Sequence, residues 1–564
     1  MNIQQTSAFR KQNWRTMASS LVALLVLAPL VVILSAQNAL GQGFKMTQLE
    51  VPGNQANTTV PIAVNASEAV VGYSTASSGA LVGFLYSGGK YTTINWSGSD
   101  NYTRALGIND SGVVVGDWLD DNNTYHGFTY VKGTYKQFDV GGNVSTSIFG
   151  INAAGDFVGA EGNAGEGTLQ GFTYINKKVK EFYASGTDAT YAYAINSSNE
   201  VVGEYFDSSN VAHGYYRSAA GTITEIAYPG AVATSCNGIS DVGEITGTYT
   251  ESSGLTYGFT YLKGKYTSTD FAGTFGINSK GDYVGYYWGV DGALSGYLAS
   301  PQAFTLSTVK VPGNEQAAFW GVNSAGVAVG DYVNSKGAEN GLMFSGGKIK
   351  NINDPKGLTT TCFGINTTGD IVGLYTDSNG NPHGFEYASG KFKDIPGPTG
   401  SIASAAFGIN DSGSISGLYV DGSGAGHGFV LTAAGKYTAL NVPGAQLTLG
   451  RGINNKGLVT VQWQDSTGYF QASLYNGKKY TSINVPGAAV NQVQGINTAG
   501  DIVYFISDPY GVGHAALKSG NNYYVFDYPK GSNAGAGGIN DNNLIVGSYI
   551  PAGKTTPEPF QGTE

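Results

Sequence analysis

A tripeptide that keeps returning constrains this chain more than any other feature. Gly-Ile-Asn, or a near copy of it, places an anchor residue at Asn65, Asn109, Asn152, Asn196, Ser240, Asn278, Asn323, Asn366, Asn410, Asn454, Asn497 and Asn540. Successive anchors are 44, 43, 44, 44, 38, 45, 43, 44, 44, 43 and 43 residues apart. A period so regular means that one supersecondary unit is repeated twelve times, and that each unit hides its apolar surface against its neighbours.

The interior of a copy shows what the unit is. Three residues after the anchor stands a glycine, as in Gly112, Gly155, Gly369 and Gly500, with Asn199 and Asn543 substituting and Glu68 the exception. Gly and Asn accept a positive φ at little cost, so this position is predicted to be the left-handed residue of a hairpin turn. β-Branched and aromatic runs flank it, Phe363-Gly-Ile before and Ile371-Val-Gly-Leu-Tyr375 after, as expected of strands. A second glycine, seven after the anchor, recurs in ten of the twelve copies, from Gly72 to Gly547. Inside a strand it marks close approach of another backbone, expected here between tightly packed sheets. A polar loop follows, such as Thr376 to Pro382, then a third strand opening at His383-Gly-Phe385, a Gly390-Lys391 turn and a fourth strand ending near Ile395. Four short antiparallel strands in about 44 residues are the content of a propeller blade. The fold class is therefore all-β, with tandem β-propellers of about twelve four-stranded blades. A stacked β-solenoid is the competing architecture.

These phrases resemble the extracellular HAF-repeat family, named for a His-Ala-Phe tripeptide that follows a GIN-x-x-G-x-V-V-G segment. Here the tripeptide reads His126-Gly-Phe128, His213-Gly-Tyr215, His383-Gly-Phe385, His427-Gly-Phe429 and His514-Ala-Ala516, and the resemblance covers nearly all of residues 50–549. It implies an exported repeat protein. The family carries no established activity, so no functional residue transfers with it.

Twelve blades exceed the four to eight that a single ring usually closes. The segment Phe44 to Asn54, ending Val-Pro-Gly-Asn, is echoed by Phe304 to Asn314, and six anchors follow each echo. Both echoes read as a fourth strand placed ahead of a set, which would complete the last blade and remove exposed sheet edges. Two six-bladed rings are expected, 44–300 and 301–550, joined near Ser300-Pro301, with a seven-plus-five division as the alternative. The last repeat lacks clear third and fourth strands after Tyr549, and 551–564 is expected to be a disordered tail.

Composition narrows the setting. Arg10, Lys11 and Arg15 precede an apolar run from Leu21 to Leu34 and the small residues Ser35 and Ala36. Residues 1–36 thus have the build of a signal peptide, with 37–43 a linker; the run is short of the ~20 residues that span a bilayer, so a retained anchor is the weaker reading and no stable membrane span is expected after cleavage. Secretion, to the periplasm or the cell surface, follows. Beyond residue 36 the chain has 27 basic and 40 acidic residues, a net of −13. That balance excludes nucleic acid and anionic membrane as partners, since both require clustered Lys and Arg.

The residues that suggest chemistry sit in repeated slots. Cys236 and Cys362 each lie four residues before their anchors, where other copies hold Ala105, Ala192, Thr274 or Ala406. A small buried site explains them better than a disulfide. All five histidines open the third strand of their copies, and equivalent positions in different blades are dispersed around a ring, whereas metal ligands must converge at ~2 Å. A structural role is expected for them. The loops between strands two and three carry Asp117, Asp120, Asp121, Asp207, Asp291, Asp377, Asp421 and Asp465, and the turns on the opposite face carry Lys90, Lys132, Lys263, Lys348, Lys391, Lys436 and Lys478. One face of a ring is expected to be acidic and the other to bear lysines. Asp377 to Asn381 resembles the start of a calcium loop but lacks its bidentate Glu, so an Asx turn is expected.

No GxSxG, HExxH, CxxC or Walker motif occurs. No catalytic, cofactor-binding or metal-ligating residue is therefore assigned, and no cofactor. The expected function is a non-enzymatic extracellular binding or structural module whose ligand, a glycan or surface protein, meets the loop-rich face through aromatics such as Trp118 and Trp288. The alternative is a propeller hydrolase or lyase acting on an extracellular polymer.

Overall fold

The computed structural model describes residues 39–97, 102–141, 144–163, 168–184, 189–269, 273–288, 294–311, 316–508, 511–529 and 531–563. Residues 1–36, expected to be a signal peptide, and Asp291 lie outside them. Among the described residues there is no helix, and the strands group into four-stranded antiparallel blades. The chain forms two compact units, Met46–Pro301 and Gln302–Glu564, the second also taking the residues up to Lys45. Each unit holds six blades, so the architecture is two six-bladed propellers.

One blade shows how the repeat becomes structure. Thr359–Ile365 pairs with Ile371–Thr376, which pairs with Pro382–Ala388, which pairs with Lys391–Ile395. Between the first two strands Gly369 turns the chain at φ 87°, with its N–H donating to Asn366 O at 3.1 Å. The equivalent residues of other copies also have positive φ, including Asn199, Asn543 and even Glu68 at 58°. Ile371 and Val372 point to opposite faces of the strand, and both are fully buried because a blade is covered on both sides. Val372 packs with Ile395, Ala406, Ile409 and Phe429, so it belongs to the core shared with the next blade.

The second glycine of the repeat does mark a close approach, but within a blade and not between sheets. A Cβ on Gly373 would lie 2.1 Å from Thr361 O and 2.8 Å from the Phe385 ring. The first strand bulges opposite it, between Cys362 and Gly364, and pushes that carbonyl inward. The aromatic ring of the third strand, fully buried, lies over the glycine. Contact between blades falls instead on the glycine of Gly-Ile-Asn. A Cβ on Gly321 would meet Phe363 O at 2.4 Å, and one on Gly408 would meet Arg451 O at 2.6 Å.

The anchor asparagines tie the blades together. In most copies Oδ1 accepts the N–H groups two and four residues on, as Asn410 does from Ser412 (3.2 Å) and Ser414 (2.9 Å). Each Nδ2 donates to the anchor carbonyl of the following blade. In the second ring the circuit runs Asn323, Asn366, Asn410, Asn454, Asn497 and Asn540, with the last donating to Asn323 O at 2.8 Å. In the first ring Asn278 returns to Asn65 O at 2.9 Å, and Ser240 is the one link that cannot reach forward.

Strands ahead of each set complete the last blades. In the first ring Leu49 and Val51 pack with Val284 and Leu298. In the second, Thr305 to Thr308 pair with Phe560 to Thr563. Two expectations are corrected here. The linker 37–43 lies largely within the strand Ala39–Leu49, where pairing through backbone needs no apolar pattern. The tail 551–564 is not disordered: Glu558–Thr563 is the third strand of the last blade, with Phe560 buried over Gly547 like the other third-strand aromatics.

Candidate functional site

The acidic loops prove to be self-satisfied. Asp377 Oδ1 accepts the N–H groups of Asn379 (2.8 Å) and Asn381 (2.9 Å), the Asx turn expected there, while Oδ2 meets His383 Nε2 at 3.1 Å. The Asn381 N–H, followed by His383, holds its carboxyl well below the usual carboxylate range. Asp120 with His126, Asp207 with His213 and Asp421 with His427 repeat the clamp, and each of these histidines stacks on the aromatic residue opposite it. The histidines are thus loop fasteners, and among the described residues no cluster of three or more His, Cys, Asp or Glu is placed to hold a metal. Cys236 and Cys362 are free and buried.

Two expected surface residues are not on the surface. Asp117 is a fully buried strand residue, and Trp118 is 8% exposed, sandwiched between Trp96 (5.1 Å) and His126 (4.7 Å). Those two rings cover it, and it offers no face to a ligand. The Trp288 side chain lies outside the described set. The turn lysines, from Lys90 to Lys478, are exposed as expected.

What the repeat reading missed is at the axis of the first ring. The innermost strands of its six blades surround a cavity of about 400 Å³. They line it with the residue three before each anchor: Ile62, Leu106, Phe149, Tyr193, Asn237 and Phe275. Second strands add Tyr73, Glu204, Thr248 and Tyr286, and Arg104 and Ser235 complete the wall. Aligning the copies and seeking a slot that does not repeat, beside the Gly that always does, is the signal that would have found it.

The wall has an aromatic and a polar part. Phe149 meets Tyr193 edge to face at 5.3 Å, and Phe275 lies 5.6 Å from Tyr286. Arg104 is held bidentate by Asp117, Nε to Oδ1 at 3.0 Å and Nη2 to Oδ2 at 2.6 Å. Burial alone would lower its pKa; Asp117 outweighs that and raises it, so the guanidinium stays charged. Tyr193 donates its hydroxyl to Glu204 Oε1 at 2.5 Å, and burial, then Glu204, raises the Tyr193 pKa well above its ordinary value. Asn237 Nδ2 donates to Thr274 O at 2.9 Å, and Ser235 Oγ donates to Asn237 Oδ1 at 2.9 Å. Arg104, Tyr193, Glu204, Ser235 and Asn237 are thus each tied to the wall, which fixes their positions.

The second ring is built differently at the same slot, with Trp320, Phe363, Phe407, Arg451, Gln494 and Gly537. Its axial cavity is about 100 Å³. Trp320 Nε1 donates to Asp331 Oδ1 at 2.5 Å, and burial, then neighbouring Glu339, pushes the Asp331 pKa up.

No protein-family profile matches the chain, and no curated protein matches it in sequence. Solved structures do match. The β-propeller domain of the Trilobed protease from Pyrococcus furiosus is 10% identical, covering 58% of this chain and 95% of that one at a TM-score of 0.26. TolB from Acinetobacter baumannii is 12% identical over 58% and 80% at 0.31, and the Aleuria aurantia lectin is 11% identical over 56% and 94% at 0.27.

Proposed function

We propose that the chain is an exported binding protein, of the HAF-repeat kind, whose first ring takes a small polar ligand of the carbohydrate class in its axial cavity. One observation carries this reading: the slot three before the anchor differs from blade to blade where it faces the cavity. A repeat fold asks for the same residue at the same slot, and its turns, glycines and anchors comply. The differences among Ile62, Leu106, Phe149, Tyr193, Asn237 and Phe275 serve no such demand. A cavity of 300–1,000 Å³ with aromatic walls and a few fixed polar groups is the ordinary form of a small-ligand site. Flat rings for the apolar faces of a sugar, with Arg104, Glu204 and Asn237 at hydroxyl-bonding positions, supply the chemistry that a saccharide needs.

The test is an oligosaccharide array followed by calorimetric titration, using the chain from residue 37. A saccharide should bind, and Phe149→Ala should weaken it at least tenfold while leaving the unfolding midpoint of the second ring unchanged. Binding that survives both Phe149→Ala and Glu204→Gln would place the ligand elsewhere. Turnover of a polysaccharide, abolished by Glu204→Gln, would favour the hydrolase or lyase alternative.

A further inference from the structure

Only three arginines follow residue 36: Arg104, Arg217 and Arg451. Arg104 has its counter-charge in Asp117. Arg451, in the axial slot of the second ring, is 3% exposed and has no ion pair among the described residues. Its guanidinium lies over the Phe407 ring, 4.6 Å from the centroid, and Nη2 donates to Gln494 Oε1. Nε and Nη1 are both buried and without a partner.

A buried unpaired ion costs several kcal/mol, more than stacking on one ring returns. Gln462 Oε1, also buried and unpartnered, belongs to the same blade. A neutral amide could answer one N–H but not the charge. Asp331 in the same ring is occupied by Trp320, and burial favours its protonated form. Arg451 and Gln494 both line the axial cavity, together with Trp320, Phe363, Phe407 and the glycines and isoleucines of the repeat. About 100 Å³ is too small for a sugar ring with its hydroxyls, and equals the space of roughly three waters at ~30 Å³ each.

We propose that the axial cavity of the second ring is a site for one small monovalent anion, of the halide or formate class, held beside the Arg451 guanidinium. The anion neutralises the buried Arg451 charge, which has no ion pair among the described residues, and so acts as a structural ion of this ring. The assignment does not depend on the saccharide site, which is in the other ring.

Bromide is the probe. Crystals of the chain from residue 37 grown in sodium bromide should show an anomalous peak in the axial cavity within about 3.5 Å of an Arg451 guanidinium nitrogen. In solution, chloride and formate should raise the unfolding midpoint relative to gluconate at equal ionic strength. The expected rise is about 3–5 °C for each tenfold increase in anion above its dissociation constant. Arg451→Met, similar in length and uncharged, should abolish both effects. If that variant does not fold, the wild-type peak and the chloride–gluconate difference decide the matter alone. Water in place of bromide at Arg451, or superimposable chloride and gluconate curves, would overturn the proposal.

Discussion

Asn410 offers the sharpest test of how the rings are held. Its side chain accepts from the N–H groups of Ser412 and Ser414 and donates to Asn454 O at 3.0 Å, all at a position 6% exposed. Asn410→Ala removes these three bonds and a fourth, which Oδ1 accepts from Ser412 Oγ at 2.8 Å. A net intramolecular hydrogen bond is worth about 1 kcal/mol, and a buried group left unpaired costs about 1–3. Ser412 is near water and recovers part of its loss, so the expected destabilisation is about 2–3 kcal/mol. Asn410→Asp keeps both acceptances but turns the donor into an acceptor facing Asn454 O, and places a charge in a buried site. At neutral pH it should be less stable than Asn410→Ala. Its carboxyl pKa should be raised in the folded state, because protonation restores a donor. The native state then binds more protons than the unfolded one, and the deficit should shrink as pH falls from 7 towards 4. Urea unfolding followed by tyrosine and tryptophan fluorescence at both pH values measures this. A loss below about 0.5 kcal/mol for Asn410→Ala, the size of an ordinary surface substitution, would refute the argument. So would an Asp variant as stable as the Ala variant at pH 7.

Two further outcomes follow from the same geometry. Gly373→Ala places a methyl group 2.1 Å from Thr361 O and should cost about 3 kcal/mol or more, whereas Gly369→Ala, at φ 87° in open space, should cost about 1; paired urea titrations will rank them. Asp331, whose pKa burial raises, favours the folded state most when protonated, so its contribution is present near pH 4 and lost as pH rises through its raised value. A plot of unfolding midpoint against pH should flatten over that interval in Asp331→Asn, and an unchanged slope would count against the burial argument.

The blade was legible because its determinants are local. A positive φ at Gly369, a tight turn at Gly390-Lys391 and strands between them are written in neighbouring residues, and twelve copies average out the noise of any one. The role of the anchor was not legible, although the residue itself was conspicuous: the Nδ2 of Asn65 bonds a carbonyl 44 residues away, and only a closed ring brings the two together. Trp118 misled for a similar reason. Its position at the end of a second strand suggested exposure, but Trp96, from the connection between blades, folds onto it. The closing strand Glu558–Thr563 escaped notice because it lacks the His-Gly opening and no Gly-Lys turn follows it.

The site lay hidden for a reason inherent in repeat folds. Repetition identifies what every blade needs, so it draws attention to positions that carry structure and away from those that carry function. In a closed ring only the innermost slots of different blades face one another, and there identical residues would make a symmetric plug. Volume alone does not decide whether the result is a cavity, since the slot three before the anchor holds three aromatics in each ring. What differs is where the polar side chains are anchored. In the first ring Tyr193 is drawn to Glu204 and Arg104 to Asp117, each within its own blade, and Asn237 to the Thr274 carbonyl of the next, and the axis stays open at about 400 Å³. In the second ring Arg451 lies over Phe407 and bonds Gln494, bridging three consecutive blades, and the axis narrows to about 100 Å³. One scaffold thus yields a wide axial cavity in one ring and a narrow one in the other, through a handful of hydrogen bonds made at the few positions that the repeat leaves free.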